Sequence, residues 1–225
     1  MAIGTEPEII GKELRTPRAA AVAGVAFSPL LGASLVLIRI SVPADPSDAR
    51  QWLTDSGRRH AVLVAVNLVP FAGIAFLWFI GAVRDRLGDR EDRFFATVFL
   101  GSGLVFVAMM YAAAAVAGSL VIGFRGGVDP SAGAAQDWRF GGAVAHALLT
   151  TYGMRMAAVF MITTATITLR YEVIPRWLGL AGYASALALL LGVNVVGWLE
   201  LLFPSFVLVV SVYLLSESFR RDRVR

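Results

Sequence analysis

An all-α, polytopic bundle of six transmembrane helices with both termini cytoplasmic is the fold class this sequence predicts. Three observations carry that expectation. The chain is 57% hydrophobic and only 16% charged, where an ordinary soluble domain carries roughly 25% charged residues. Its apolar residues gather into runs long enough for a bilayer core about 30 Å thick, which takes roughly 20 residues per helical crossing. Its charges, prolines and glycines collect between those runs, where turns belong. The 225 residues therefore hold six crossings and short loops as one transmembrane domain, 1–225, with no separate soluble domain.

The elements follow in order. After Lys12, Arg15 and Arg18, an apolar run predicts the first helix over about 19–40. It exceeds the 7 to 15 apolar residues of a signal peptide and no A-x-A site follows, so it is read as uncleaved. Pro43, Asp45, Pro46, Asp48, Asp55 and Gly57 make 42–59 the first loop. The second helix covers about 60–83, with a kink expected at Pro70, which neighbouring helices can accommodate in a membrane. The stretch RDRLGDREDR from Arg84 to Arg93 must lie in water. A third helix is expected over 94–122, a second long loop over 124–139, and a fourth helix over 140–169. A charged turn from Arg170 to Arg176 leads to the fifth helix, 177–193. A tight turn at Asn194 to Trp198 precedes the sixth, 199–218, where Pro204 sits early enough to be accommodated.

Orientation follows from the basic residues, whose excess marks the cytoplasmic side. Of the 20 Lys and Arg residues, the start, the Arg84–Arg93 turn, the Arg170–Arg176 turn and the tail hold thirteen. Arg39, Arg50, Arg58, Arg59, Arg125 and Arg139 make six on the other side, and Arg155 remains within the fourth helix. The expected location is thus the cytoplasmic (inner) membrane, multi-pass. The basic residues form no stripe, so the net charge of +4 sets orientation and does not point to nucleic acid.

Arg155 is the residue that most nearly speaks of function. An arginine about 20 Å from either end of its helix costs at least about 2.5 to 3.5 kcal/mol on insertion scales, and such residues usually line a site. It also has a purely structural reading, bonded to carbonyls or threonines such as Thr151, one turn earlier. Glu200, near the outer end of the sixth helix, is its expected acidic match, directly or through water. Asn67, Tyr111 and His146 can complete a polar pocket in the outer half, although each is alone an ordinary interhelical hydrogen-bonding residue. His60 and His146 are the only histidines, so a haem held between them ranks third among functional readings and no cofactor is expected. The methionines near mid-depth read as packing, and no metal site is expected. With no cysteine, no Ser/His/Asp arrangement, no His-Glu-x-x-His, no phosphate loop and no paired mid-membrane carboxylates, no catalytic residues are assigned.

The run FLWFIGAVRDRLGDREDRFFATVFLGSG from Phe76 to Gly103, with six helices and two longer outer loops, resembles bacterial, actinobacterial-type integral membrane proteins of unknown function. The resemblance implies a location and a fold class and carries no site residues. The expected function is a non-enzymatic binding or accessory subunit with an intramembrane polar pocket around Arg155. Its expected partners are membrane lipids and another membrane protein. The alternative is a small transporter or channel for an anionic or amphipathic solute.

Overall fold

The computed structural model describes residues 16–41, 55–87, 93–123, 132–170 and 175–222. Much of the expected loop sequence, at 42–54, 88–92, 124–131 and 171–174, lies outside them. Those described are helical almost throughout, with no strand. Helix α1 is Thr16–Ser41, α2 is Ser56–Leu87 and α3 is Arg93–Gly123. Helix α4, Ala132–His146, runs through a π-helical segment, Ala147–Gly153, straight into α5, Met154–Arg170. Helix α6, Arg176–Gly192, is followed by a turn, a 3-10 segment Gly197–Leu201, and α7, Leu202–Asp222.

The termini of these helices have local causes. Asp55 caps α2, its Oδ1 accepting from the amides of Gly57 at 3.0 Å and Arg58 at 3.1 Å, as an N-cap carboxylate does for orphan donors. The helix therefore begins four residues before the expected His60. Pro175 stands as the N-cap of α6 in an extended conformation. The largest departure from expectation is α4, which starts at Ala132, eight residues before Phe140. Ala132, Ala134 and Ala135 favour helix strongly, and that outweighs the polar Gln136, Asp137 and Arg139 that suggested a loop.

Pair contacts show the chain running up and down. Gly103 on α3 faces Ile80 on α2, while Gly118 faces Val66. Ser34 Oγ on α1 donates to the carbonyl of Ala65 on α2 at 3.1 Å. Thr166 on α5 shares a 2.7 Å hydrogen bond with Tyr183 on α6, and Gly182 on α6 lies against Phe206 on α7. Phe27 on α1 also meets Phe76 on α2, Gly179 on α6 lies against Leu169 on α5, and Gly192 lies against Leu199 just before α7. In each pair one partner advances in number as the other falls, so these neighbouring helices are antiparallel. The end where α1 begins is called the near end below, and the opposite one the far end.

Phenylalanines fill the middle of the bundle. Phe76 of α2 lies 4.6 Å from Phe27 of α1, 5.5 Å from Phe106 of α3, 5.0 Å from Phe160 of α5 and 5.5 Å from Phe203 of α7, centroid to centroid. Five helices thus meet on one set of interlocking rings, all buried. Large apolar side chains such as Phe71, Ile74 and Trp78 on α2, Leu187 and Leu191 on α6 and Val209 and Val212 on α7 are exposed around the perimeter. Helices apolar inside and out are the pattern of a bundle surrounded by lipid.

Five helical runs, Ala21–Ile40, Ser56–Arg84, Phe94–Gly123, Gln136–Arg170 and Gly197–Arg220, are long and apolar enough to cross a membrane. The sixth, α6, is apolar but has 17 residues, about 25 Å at the helical rise. Helices α2, α3 and α4 extend further at the far end. There Val62, Val121 and Trp138 bury one another in a small second core. Trp138 is a packing residue of that core.

Candidate functional site

Two irregularities of the backbone face each other toward the far end. The first is the π-helical segment, where the amide of Met154 reaches back to the carbonyl of Leu149. Such wide turns inside an α-helix mark functional sites more often than ordinary helix does. The second is the 3-10 segment, which delays the start of α7 and carries Glu200.

Side chains join them. Thr150 Oγ1 donates to Glu200 Oε1 at 2.7 Å, and one residue further on Thr151 Oγ1 lies 3.4 Å from Asn194 Oδ1 in the turn after α6. Glu200 is only 8% exposed and Thr150 2%, so a carboxylate is held inside the bundle by a hydroxyl that is itself buried. His146 Nδ1 lies 3.4 Å from Thr150 Oγ1. Since the Thr150 hydrogen goes to Glu200, any bond there must run from His146 N–H to the Thr150 oxygen.

Arg155 is half-buried, two residues past the π segment. Its Nη1 donates to the carbonyl of Thr151, a group on its own helix. Among the described residues no ion pair joins Arg155 to Glu200. The two charges that the sequence reading paired are anchored on consecutive residues of one turn, the acid on Thr150 and the base on Thr151. A guanidinium has five N–H donors, so most of those on Arg155 are open to another group.

The remaining expected pocket residues are differently engaged. Asn67 is exposed and donates to the carbonyl of Leu63 on its own helix at 2.7 Å. Tyr111 donates across the α2–α3 interface to the carbonyl of Pro70 at 3.1 Å, resting on Gly73, where a Cβ would overlap its ring. Those two hydrogen bonds end on carbonyls of helix α2, and neither touches Arg155 or Glu200. His60 is exposed at the far end of α2. Among the described residues no group of three or more His, Cys, Asp or Glu is placed to hold a metal.

Sequence reasoning missed Thr150, Asn194 and the π segment. Two threonines beside a glycine in LLTTYG were a weak signal for a helix irregularity. Nothing local foretold that Thr150 would meet an acid fifty residues away. It also missed Arg39, whose guanidinium sits 5.2 Å above the Trp198 ring and against Gly197, where a Cβ would overlap it. That clasp ties α1 to the 3-10 segment carrying Glu200.

The base of the site is the phenylalanine cluster. Phe160 follows Arg155 by five residues and Phe203 follows Glu200 by three, both toward the near end. Comparison with protein-family models, curated proteins and solved structures found no match, so the reading of the site stands on these residues alone.

Proposed function

We propose that this chain is a non-enzymatic, multi-pass protein of the bacterial cytoplasmic membrane, with both termini cytoplasmic. In this reading it binds an anionic group of a lipid or of a membrane partner through Arg155. The observation that carries the reading is the meeting of two broken helix segments around a buried carboxylate and a half-buried guanidinium that do not neutralise each other. Irregular backbone at membrane depth is tolerated where it is buried in protein or lines a wet cavity, and intramembrane charge is retained where it is used. The 13 to 6 division of basic residues supports the orientation, and with it a site in the outer half.

Transport is the second reading. Discontinuous helices that meet near a charge are how secondary transporters build substrate sites, and the paired breaks favour it. Against a simple channel stands the phenylalanine cluster, which closes the bundle axis beneath the site.

The test is Arg155→Met, purified in mild detergent from native membranes and compared with the wild type by mass spectrometry of retained lipids and proteins. The variant is expected to keep its fold and lose a ligand that the wild type retains. Identical retained molecules in both would overturn the binding reading. Marked loss of thermal stability, rescued by adding Glu200→Gln, would instead show Arg155 balancing the acid structurally.

A further inference from the structure

We infer that the ligand of this site is a zwitterion, its protonated amine on Glu200 and its anionic oxo group on Arg155. This rests on the binding reading above and narrows it. Two buried or half-buried charges of opposite sign normally pair when they can reach one another, because each is expensive to keep unpaired away from water. Here each is bonded to a different neighbour instead. Among the described residues Thr150 is the only hydrogen-bonding side chain on Glu200, and it engages Oε1. The only hydrogen bond of Arg155 among the described residues is to the Thr151 carbonyl. One carboxylate oxygen and most guanidinium donors are therefore left to a ligand, separated along one turn of helix.

The charge balance of the site selects the ligand class. A simple anion drawn to Arg155 meets the field of Glu200, and a simple cation drawn to Glu200 meets that of Arg155. In surroundings of low dielectric such repulsions are large. A molecule carrying both charges satisfies both groups and brings no net charge into the membrane. Next to the pair in the fold, Tyr152, Asn194 and Val195 are exposed. His146, the other titratable group near Thr150, is exposed at the rim. An amine and a phosphate or carboxylate in one small unit occur both in an aminophospholipid headgroup and in a free amino acid or amino-phosphate.

The test uses the full chain, delipidated in detergent, with short-chain phosphatidylethanolamine and phosphatidylglycerol as probes. Soluble O-phosphoethanolamine and glycine serve as competitors. The wild type is expected to bind phosphatidylethanolamine about tenfold more tightly than phosphatidylglycerol, as fits one charge-assisted hydrogen bond. Glu200→Gln, which still accepts from Thr150, should erase that preference, whereas Arg155→Met should weaken both lipids. Competition by the soluble zwitterions would identify a free solute as the source, and binding of the lipid alone would identify the headgroup.

Equal or tighter binding of phosphatidylglycerol by the wild type, lost in Arg155→Met, would reject the zwitterion and leave the anion-binding reading standing. Binding that survives Arg155→Met, or no binding by the wild type, would reject both. Should Glu200→Gln fail to fold, Glu200→Asp must weaken phosphatidylethanolamine more than phosphatidylglycerol, and equal weakening would overturn the assignment.

Discussion

Thr150 shows how much one hydroxyl can hold. It is buried, donates to a buried carboxylate from a wide helical turn, and has His146 on its other side. Replacing it with valine keeps the shape and removes the donor, leaving Glu200 desolvated without compensation. A hydrogen bond to a charged group contributes about 1.5 to 3 kcal/mol, so Thr150→Val should lower the thermal midpoint in detergent clearly. Thr150→Ser should restore most of it. An unchanged midpoint in Thr150→Val would mean that this hydrogen bond does not hold the fold together. Arg155 and Glu200 were legible as candidates because charge at membrane depth is rare enough to stand out in a sequence. Their partners were not, since a threonine hydrogen-bonded across fifty positions has the same local signature as one that simply bonds its own helix. Thr163, Thr164 and Thr168 do the latter, each donating to the carbonyl four residues back.

Helices α5 and α6 pack through small residues, and that seam carries a prediction of its own. A Cβ on Gly182 would lie 2.7 Å from Phe206 and 3.3 Å from the Ala165 Cβ, so three helices depend on its having none. Gly182→Leu should destabilise by about 1 to 3 kcal/mol through overpacking, read as a lower thermal midpoint, while Gly81→Leu, where a Cβ meets nothing, should be tolerated. Equal effects at the two glycines would contradict the α6 packing. All six helical rods were legible from apolar runs, since a bilayer imposes length and composition together. The largest error fell at the start of α4, and α2 and α7 also run four residues past their expected ends, to Leu87 and Asp222. Asp55 and Gly57 resemble loop residues until the Asp55 carboxylate is seen capping the helix, and Ala132–Arg139 resembles a loop until Trp138 is seen in the small core with Val62 and Val121. Polar helix beyond the lipid lacks the apolar run that made the rest visible.

The molecule as a whole is a closed bundle with an aromatic centre and a polar site near its far end. Its orientation can be checked directly because the chain has no cysteine. Ser56→Cys, exposed at the far end of α2, should react with a membrane-impermeant thiol reagent in intact cells. Arg176→Cys, exposed at the near end of α6, should react only after lysis, and the reverse pattern would invert the topology argued from basic residues. The unequal helices have a mechanical consequence. A 17-residue α6 and a 31-residue α3 offer the bilayer two different hydrophobic heights on one perimeter. Long helices relieve such a difference by tilting and short ones by drawing the two leaflets together, at fractions of a kcal/mol per Å. Lipid beside α6 is then expected to be thinner than lipid beside α3, so that the protein senses acyl-chain length. Reconstituted in phospholipids of graded chain length, its thermal midpoint should peak at an intermediate thickness and fall on both sides; a flat response would show that α6 is shielded from lipid. Membrane tension and leaflet composition would thereby act on the same helix whose far end leads into the turn holding Asn194.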